Sequence, residues 1–134
     1  MRVCWVTREI DASADIVWRL LVDTDVWPSW GPSVKAVTLD DDELRLGSTG
    51  TVQTVVGLRL PFQITAFDPG RSWSWSVAGI AATDHRVEPL GVGRCRAAFG
   101  APWLASPYLV VCRRALMRLD KLALNTFRAD DARR

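Results

Sequence analysis

A chain of 134 residues, 49% apolar and 24% charged, is long enough to bury a core and is expected to form one domain over residues 1–134. Its net charge is only +2, and its 17 basic residues, 15 of them Arg, are scattered rather than gathered in a stripe, which argues against nucleic acid as a partner. No apolar run approaches a membrane span and no secretory pattern opens the chain, while Cys4, Cys95 and Cys112 are too widely spaced for a disulfide framework or a zinc site, so a cytoplasmic location with reduced thiols is expected.

The first element is a strand, "VCWVTREI" at 3–10. A short helix follows in "DASADIVWRLLVD", with Ser13 as N-cap, Asp15 in the first turn, and Ile16, Val17, Leu20 and Leu21 at helical spacing. Asp15, Arg19 and Asp23 stand four apart on its solvated side. "TDVWPSWGPS" at 24–33 carries Pro28, Gly31 and Pro32, which allow at most one helical turn and bring Trp27 and Trp30 to a chain corner. "VKAVTL" at 34–39 is a strand and "DDDELRLGS" at 40–48 an acidic loop.

From residue 49 the spacing is regular, with strand-like runs "TGTVQTVV", "RLPFQITAF", "RSWSWSVA", "ATDHRVEP" and "GRCRAAFG" parted by Gly or Pro. "DPG" at 68–70 and "PLGVG" at 89–93 are turns of an antiparallel meander. The last element starts at Ser106 as N-cap and Pro107 at the first helical position, and runs to about Phe127. Wound as a helix, it puts Leu109, Cys112, Leu116, Leu119, Ala123 and Phe127 on one stripe and Arg114, Arg118, Lys121 and Asn125 opposite.

The order is that of an α+β layer protein, in which a strongly curved antiparallel sheet of about six or seven strands has its apolar face covered by one long C-terminal helix. The opening "IDASADIVWRLLVDTDVWPSWGPSVKAV", the passages "FDPGRSWSWSV" and "DHRVEPLGVG", and the terminal helix together resemble the START-like helix-grip superfamily, the SRPBCC group of polyketide cyclases and lipid-transfer domains. That resemblance covers nearly the whole chain. It implies a sheet folded around the helix with a hydrophobic cavity between them that takes a lipid, a polyketide or an aromatic compound. The brief connections between the later strands argue against a very large pocket.

"SWSWSV" at 72–77 sets Trp73, Trp75 and Val77 on one face of a strand, where they fit core packing or pocket lining equally well; the helix-grip resemblance turns them toward the helix. Phased the same way, Phe62, Ile64 and Ala66 point inward, as do Thr83, His85 and Val87, and Cys95, Ala97 and Phe99, while Arg86, Glu88, Arg94 and Arg96 point out. The ligand-binding candidates are therefore Trp73, Trp75, Val77, Phe62, Ile64, His85 and Phe99 on the sheet and Cys112, Leu116 and Asp120 on the helix. His85, the single histidine, fits a buried residue held by one hydrogen bond, or an acid–base group in an aldol cyclisation or dehydration. Arg113 is the other catalytic candidate, on the border of the apolar stripe. Its plainer reading, like that of Asp120, is a charge at the rim in contact with water. Trp27 and Trp30 fit packing under the loop or a place at the pocket mouth.

No nucleophile elbow, zinc-protease, phosphate-loop or dinucleotide motif is present, and neither a cofactor nor a metal is called for. Three functions stay open: a binder of a small hydrophobic molecule, a polyketide cyclase or dehydrase, and a protein-interaction domain without a ligand. The oligomeric state is not legible.

Overall fold

The computed structural model describes residues 3–132, the side chain of Ser106 excepted. Seven strands form one antiparallel sheet: β1 (Val3–Ile10), β2 (Val34–Leu39), β3 (Thr49–Thr54), β4 (Arg59–Asp68), β5 (Ser72–Val77), β6 (Ile80–Pro89) and β7 (Cys95–Pro102), in the order β1-β7-β6-β5-β4-β3-β2. Between β1 and β2 lie α1 (Ala14–Val22), a 3-10 turn (Thr24–Val26) and the single-turn α2 (Trp27–Trp30); α3 (Leu109–Ala132) ends the described chain. This is the helix-grip arrangement. It places α3 against β1, β7 and both short helices.

Local chemistry accounts for most boundaries. The Ser13 hydroxyl accepts from the Ile16 amide at 3.3 Å, and Ile16, Val17, Leu20 and Leu21 are all buried. Arg19 reaches Asp130 of α3 at 3.5 Å rather than pairing along its own helix. At the β4–β5 turn the Arg71 amide donates to the Asp68 carbonyl at 3.0 Å, with Gly70 at φ 80° as a tight turn needs after Pro69. The β5–β6 turn is a two-residue hairpin of Ala78 (φ 52°) and Gly79 (φ 78°), the twist that suits the flanking strands.

Two expectations move. The last helix starts at Leu109, because a 3-10 segment (Trp103–Tyr108) with non-helical dihedrals at Ala105 takes the place of its first turn. The cap assigned to Ser106 lies outside the described residues. Buried Cys112, Ala115, Leu116, Leu119 and Ala123 form the inner stripe, while Phe127 is exposed and the helix runs past it to Ala132, since no Gly or Pro stops it.

The second concerns β4. Phe62 and Ile64 are buried as phased, but a register shift between Ile64 and Ala66 turns Ala66 out and brings Phe67 in against the core. Beyond it one inward row crosses five strands: Phe67 pairs with Trp73, Trp73 with His85, His85 with Phe99, and Phe99 with Val6.

Candidate functional site

Small residues at inward positions leave the space that the large ones enclose. On α3 the inward residues nearest its start are Cys112 and Ala115, whereas Leu116 and Leu119 fill the core further along; β6 contributes Ala81 and Ala82, and β7 Ala101 and Pro102. The result is a cavity of about 370 Å³ between sheet and helix, floored by Trp30, Trp73, His85 and Phe99 and bordered by Ser33, Thr54, Ala105 and Tyr108. At ~30 Å³ per liquid water this is room for a dozen waters, or an organic guest with a similar number of non-hydrogen atoms.

The wall is an aromatic stack. Trp27 lies on Trp73 with ring centroids 4.9 Å apart and planes 9° from parallel, and Trp73 lies on His85 at 3.9 Å and 23°. Trp75 meets both tryptophans edge-on, at 5.4 and 5.7 Å, and Phe99 closes on His85 at 5.0 Å. Such contacts fix ring positions beyond what area burial alone would do.

One polar chain crosses this apolar surface. The Trp75 indole N–H donates to the Thr83 hydroxyl at 2.9 Å, and that hydroxyl lies 3.0 Å from His85 Nε2. On its other side His85 Nδ1 is 3.3 Å from the Trp73 carbonyl, which can only accept. Nδ1 therefore carries the proton, Nε2 is the acceptor, and Thr83 relays between indole and imidazole. Burial pulls the imidazole pKa from its ordinary 6.5 to about 3, and the hydrogen bond to the Trp73 carbonyl opposes this only in part. Near neutral pH the ring is uncharged, with its one proton held on Nδ1 against the Trp73 carbonyl and no imidazolium proton to give up as an acid, and as a base it is weak with its lone pair already engaged. Burial also pushes the Cys112 thiol, in the cavity lining, up to about 11, so it stays protonated.

Of the sequence candidates, Trp73, Trp75, Val77, His85, Phe99 and Cys112 line the cavity together. Phe62, Ile64 and Leu116 do not. Phe62 packs behind Trp27 and Trp75 at 5.9 and 5.6 Å, where Gly50 makes room for its ring, and Ile64 and Leu116 are buried in the core. Asp120 is turned to β1, where Arg8 Nε donates to it at 2.6 Å. Arg113 lies exposed in a shallow groove between β1 and α3, beside Trp5 and Met117. Both charges leave the cavity for one reason: with Cys112 and Ala115 facing it, the helical turn carries 113 and 120 to the flank.

Sequence reasoning left Trp27 and Trp30 open between packing under the loop and the pocket mouth, and missed the alanines and Tyr108 as lining. Both indoles are buried and tied to α1, with Trp27 Nε1–H donating to the Leu21 carbonyl at 2.9 Å and Trp30 Nε1–H to the Leu20 carbonyl at 3.0 Å. Packing and pocket lining are thus one role here. The signal for the void was the run of small residues in "AGIAAT" and "GAPWLA". At the mouth, Ser33 Oγ and Tyr108 Oη are hydrogen-bonded at 2.8 Å across the start of β2 and the approach to α3. Among the described residues, no group of His, Cys, Asp and Glu is placed to hold a metal, and no helix is long and apolar enough to cross a membrane.

A family profile described as polyketide cyclase / dehydrase and lipid transport matches residues 2–120. A search of curated proteins finds no match. Among solved structures the chain is similar to XoxI from Bacillus cereus, with 15% identity and a TM-score of 0.74 over 94% of this chain and 98% of that one. It is also similar to the di-domain ARO/CYC BexL from the BE-7585A biosynthetic pathway, with 17% identity and a TM-score of 0.71 over 90% of this chain and 46% of that one. A third is norcoclaurine synthase from Thalictrum flavum in complex with dopamine and hydroxybenzaldehyde, with 14% identity and a TM-score of 0.63 over 92% of this chain and 87% of that one. At these identities the likeness is one of fold.

Proposed function

The chain belongs to the polyketide cyclase/dehydrase and lipid-transport family, and from that membership we propose that it binds a small, largely apolar and ring-containing molecule in the cavity between sheet and α3. The observation that carries this reading is the aromatic stack of Trp27, Trp73 and His85 beside about 370 Å³ of space lined mainly by apolar side chains. Burial of a guest against such a wall contributes about 25 cal/mol per Å² of apolar surface, and the Thr83–His85 chain supplies the few polar contacts that orient it. The volume favours a compound of one or two rings over a full-length lipid.

The competing reading is ring closure or dehydration in the same cavity. Confinement of a reactive chain in one geometry supports it, since orientation alone lowers such barriers. Against it stands His85, whose pKa of about 3 leaves it uncharged where a general acid would need its proton.

Titration with the neutral two-ring fluorophore 1-naphthylamine tests the binding reading. Saturable, one-to-one quenching of tryptophan emission is expected, and it should be lost in Ala115→Phe, which fills the cavity from α3. Absence of saturation, or equal binding by the filled variant, overturns it.

A further inference from the structure

The two ends of the sheet are dressed differently. Register decides which segments meet where the cavity opens: Gln53 opposite Arg59 closes the β3–β4 turn, Val77 opposite Ile80 closes the β5–β6 turn, and β7 runs out at Pro102 opposite Val3. Ala81, Ala105 and Tyr108 line the cavity and are themselves exposed, so the mouth lies among these segments. Around it Val56 and Leu58 project from one turn, Ile80 from the next, Trp103 and Leu104 from the approach to α3, and Val110 from its first turn, each more than half exposed. One exposed leucine calls for no explanation; three segments converging on one rim do.

Charge divides along the same axis. Segments 31–36, 52–62, 75–83 and 99–112 contain no Asp or Glu, and their charged residues are Lys35 and Arg59. Eight of the 15 carboxylates lie at the far end, Asp40 to Glu43 in the β2–β3 loop, Asp68 at the β4–β5 turn, and Glu9, Asp11 and Glu88 in an ion-pair cluster with Arg94 and Arg96, while Asp84 stands mid-sheet opposite Gly100.

We infer that the rim of the cavity is a docking surface for an anionic lipid bilayer. Val56, Ile80 and Leu104 enter the boundary between headgroups and acyl chains, Trp103 and Tyr108 lie at headgroup level as amphipathic rings do, and Lys35 and Arg59 face the lipid phosphates. The alternative occupant, a second copy docked rim to rim, would bring two further cations to the interface with no carboxylate in the rim segments to pair the four. Apolar rim and apolar cavity are continuous, so a guest passes from bilayer to protein without crossing water. The docking itself stands on the surface alone and does not require a guest.

Flotation of the purified protein with vesicles of phosphatidylglycerol and phosphatidylcholine, against phosphatidylcholine alone, tests it. The protein is expected to float with the anionic vesicles and to be released by salt. Replacing Val56→Asp together with Leu104→Asp should cut the bound fraction at least tenfold, and Lys35→Gln or Arg59→Gln should weaken binding about fivefold each. Urea midpoints of these variants, all at exposed positions, verify that folding is intact. Ala115→Phe should keep vesicle binding while losing the fluorophore, which separates this inference from the ligand reading. It is overturned if the protein stays unbound with anionic vesicles, if the aspartate pair leaves flotation unchanged, or if light scattering finds a dimer that the aspartate pair splits.

Discussion

Two pairs of tryptophans meet in the cavity wall, and they are held differently. Trp27 and Trp30, at the corner, each donate an indole N–H to a carbonyl in the last turn of α1, where helix geometry leaves carbonyls without partners. They cap the helix through side chains that lie six and ten residues downstream. Trp75, on β5, depends on the Thr83 hydroxyl, and the indole N–H of Trp73 is the single buried side-chain polar group without a partner among the described residues. Corner indoles are therefore anchored by hydrogen bonds and a strand indole by stacking between Trp27 and His85. Trp27 and Trp73 are equally buried and unequally attached.

The sharpest way to break this comparison is to remove N–H groups and keep rings. Trp27→Phe strands the Leu21 carbonyl and loses packing, a cost of about 2–4 kcal/mol in urea unfolding. Trp73→Phe loses similar packing but deletes an unpartnered donor, so it should stay within about 1.5 kcal/mol of the parent. Equal costs would show that the anchoring does not matter. Next, Thr83→Val keeps shape but takes the partner from both Trp75 and His85, and is expected to cost about 2 kcal/mol by the same measurement.

Acid probes the stack from the other side. The unfolded chain protonates His85 near 6.5 and the folded one only near 3, so between those values the unfolded state binds the extra proton and stability falls as pH falls. From pH 7.5 to 5 the loss should be about 2 kcal/mol, and it should be absent in His85→Gln. The smallest expected effect is at the mouth. Tyr108→Phe removes an exposed hydrogen bond to Ser33 and should shift stability by less than about 0.5 kcal/mol, while stopped-flow mixing finds faster entry of the fluorophore.

How much of this was legible depends on where the deciding partner lies. Ser13, Asp68–Pro69–Gly70 and the spacing of Ile16 to Leu21 carry their causes within a few residues, and those elements form as read. The alternation of β5, β6 and β7 was enough to bring Trp73, His85 and Phe99 into one row. The shift at Ile64/Ala66 has no local mark, because a bulge is a property of two strands in register, and so Ala66 was phased inward when Phe67 takes that side. Asp120 and Arg113 depended on the rotation of α3, which small Cys112 and Ala115 decide by leaving space rather than filling it. Trp27 and Trp30 show the same limit: their acceptors are backbone carbonyls, which every residue has.

The sheet order also determines when the cavity comes into being. β1 pairs along its whole length with β7, Val3 against Pro102 through Ile10 against Cys95, so the first strand of the sheet in chain order waits for the last. Loop closure over such a separation is slow and contributes little until the pairing is complete. Ala101 and Pro102, which line the mouth, reach their places only with that pairing, and α3 can seat on β1 and β7 only once both are paired. The cavity is thus assembled late in folding, and a chain that lacked β7 and α3 would carry Trp27, Trp30, Trp73 and Trp75 with no space for them to enclose.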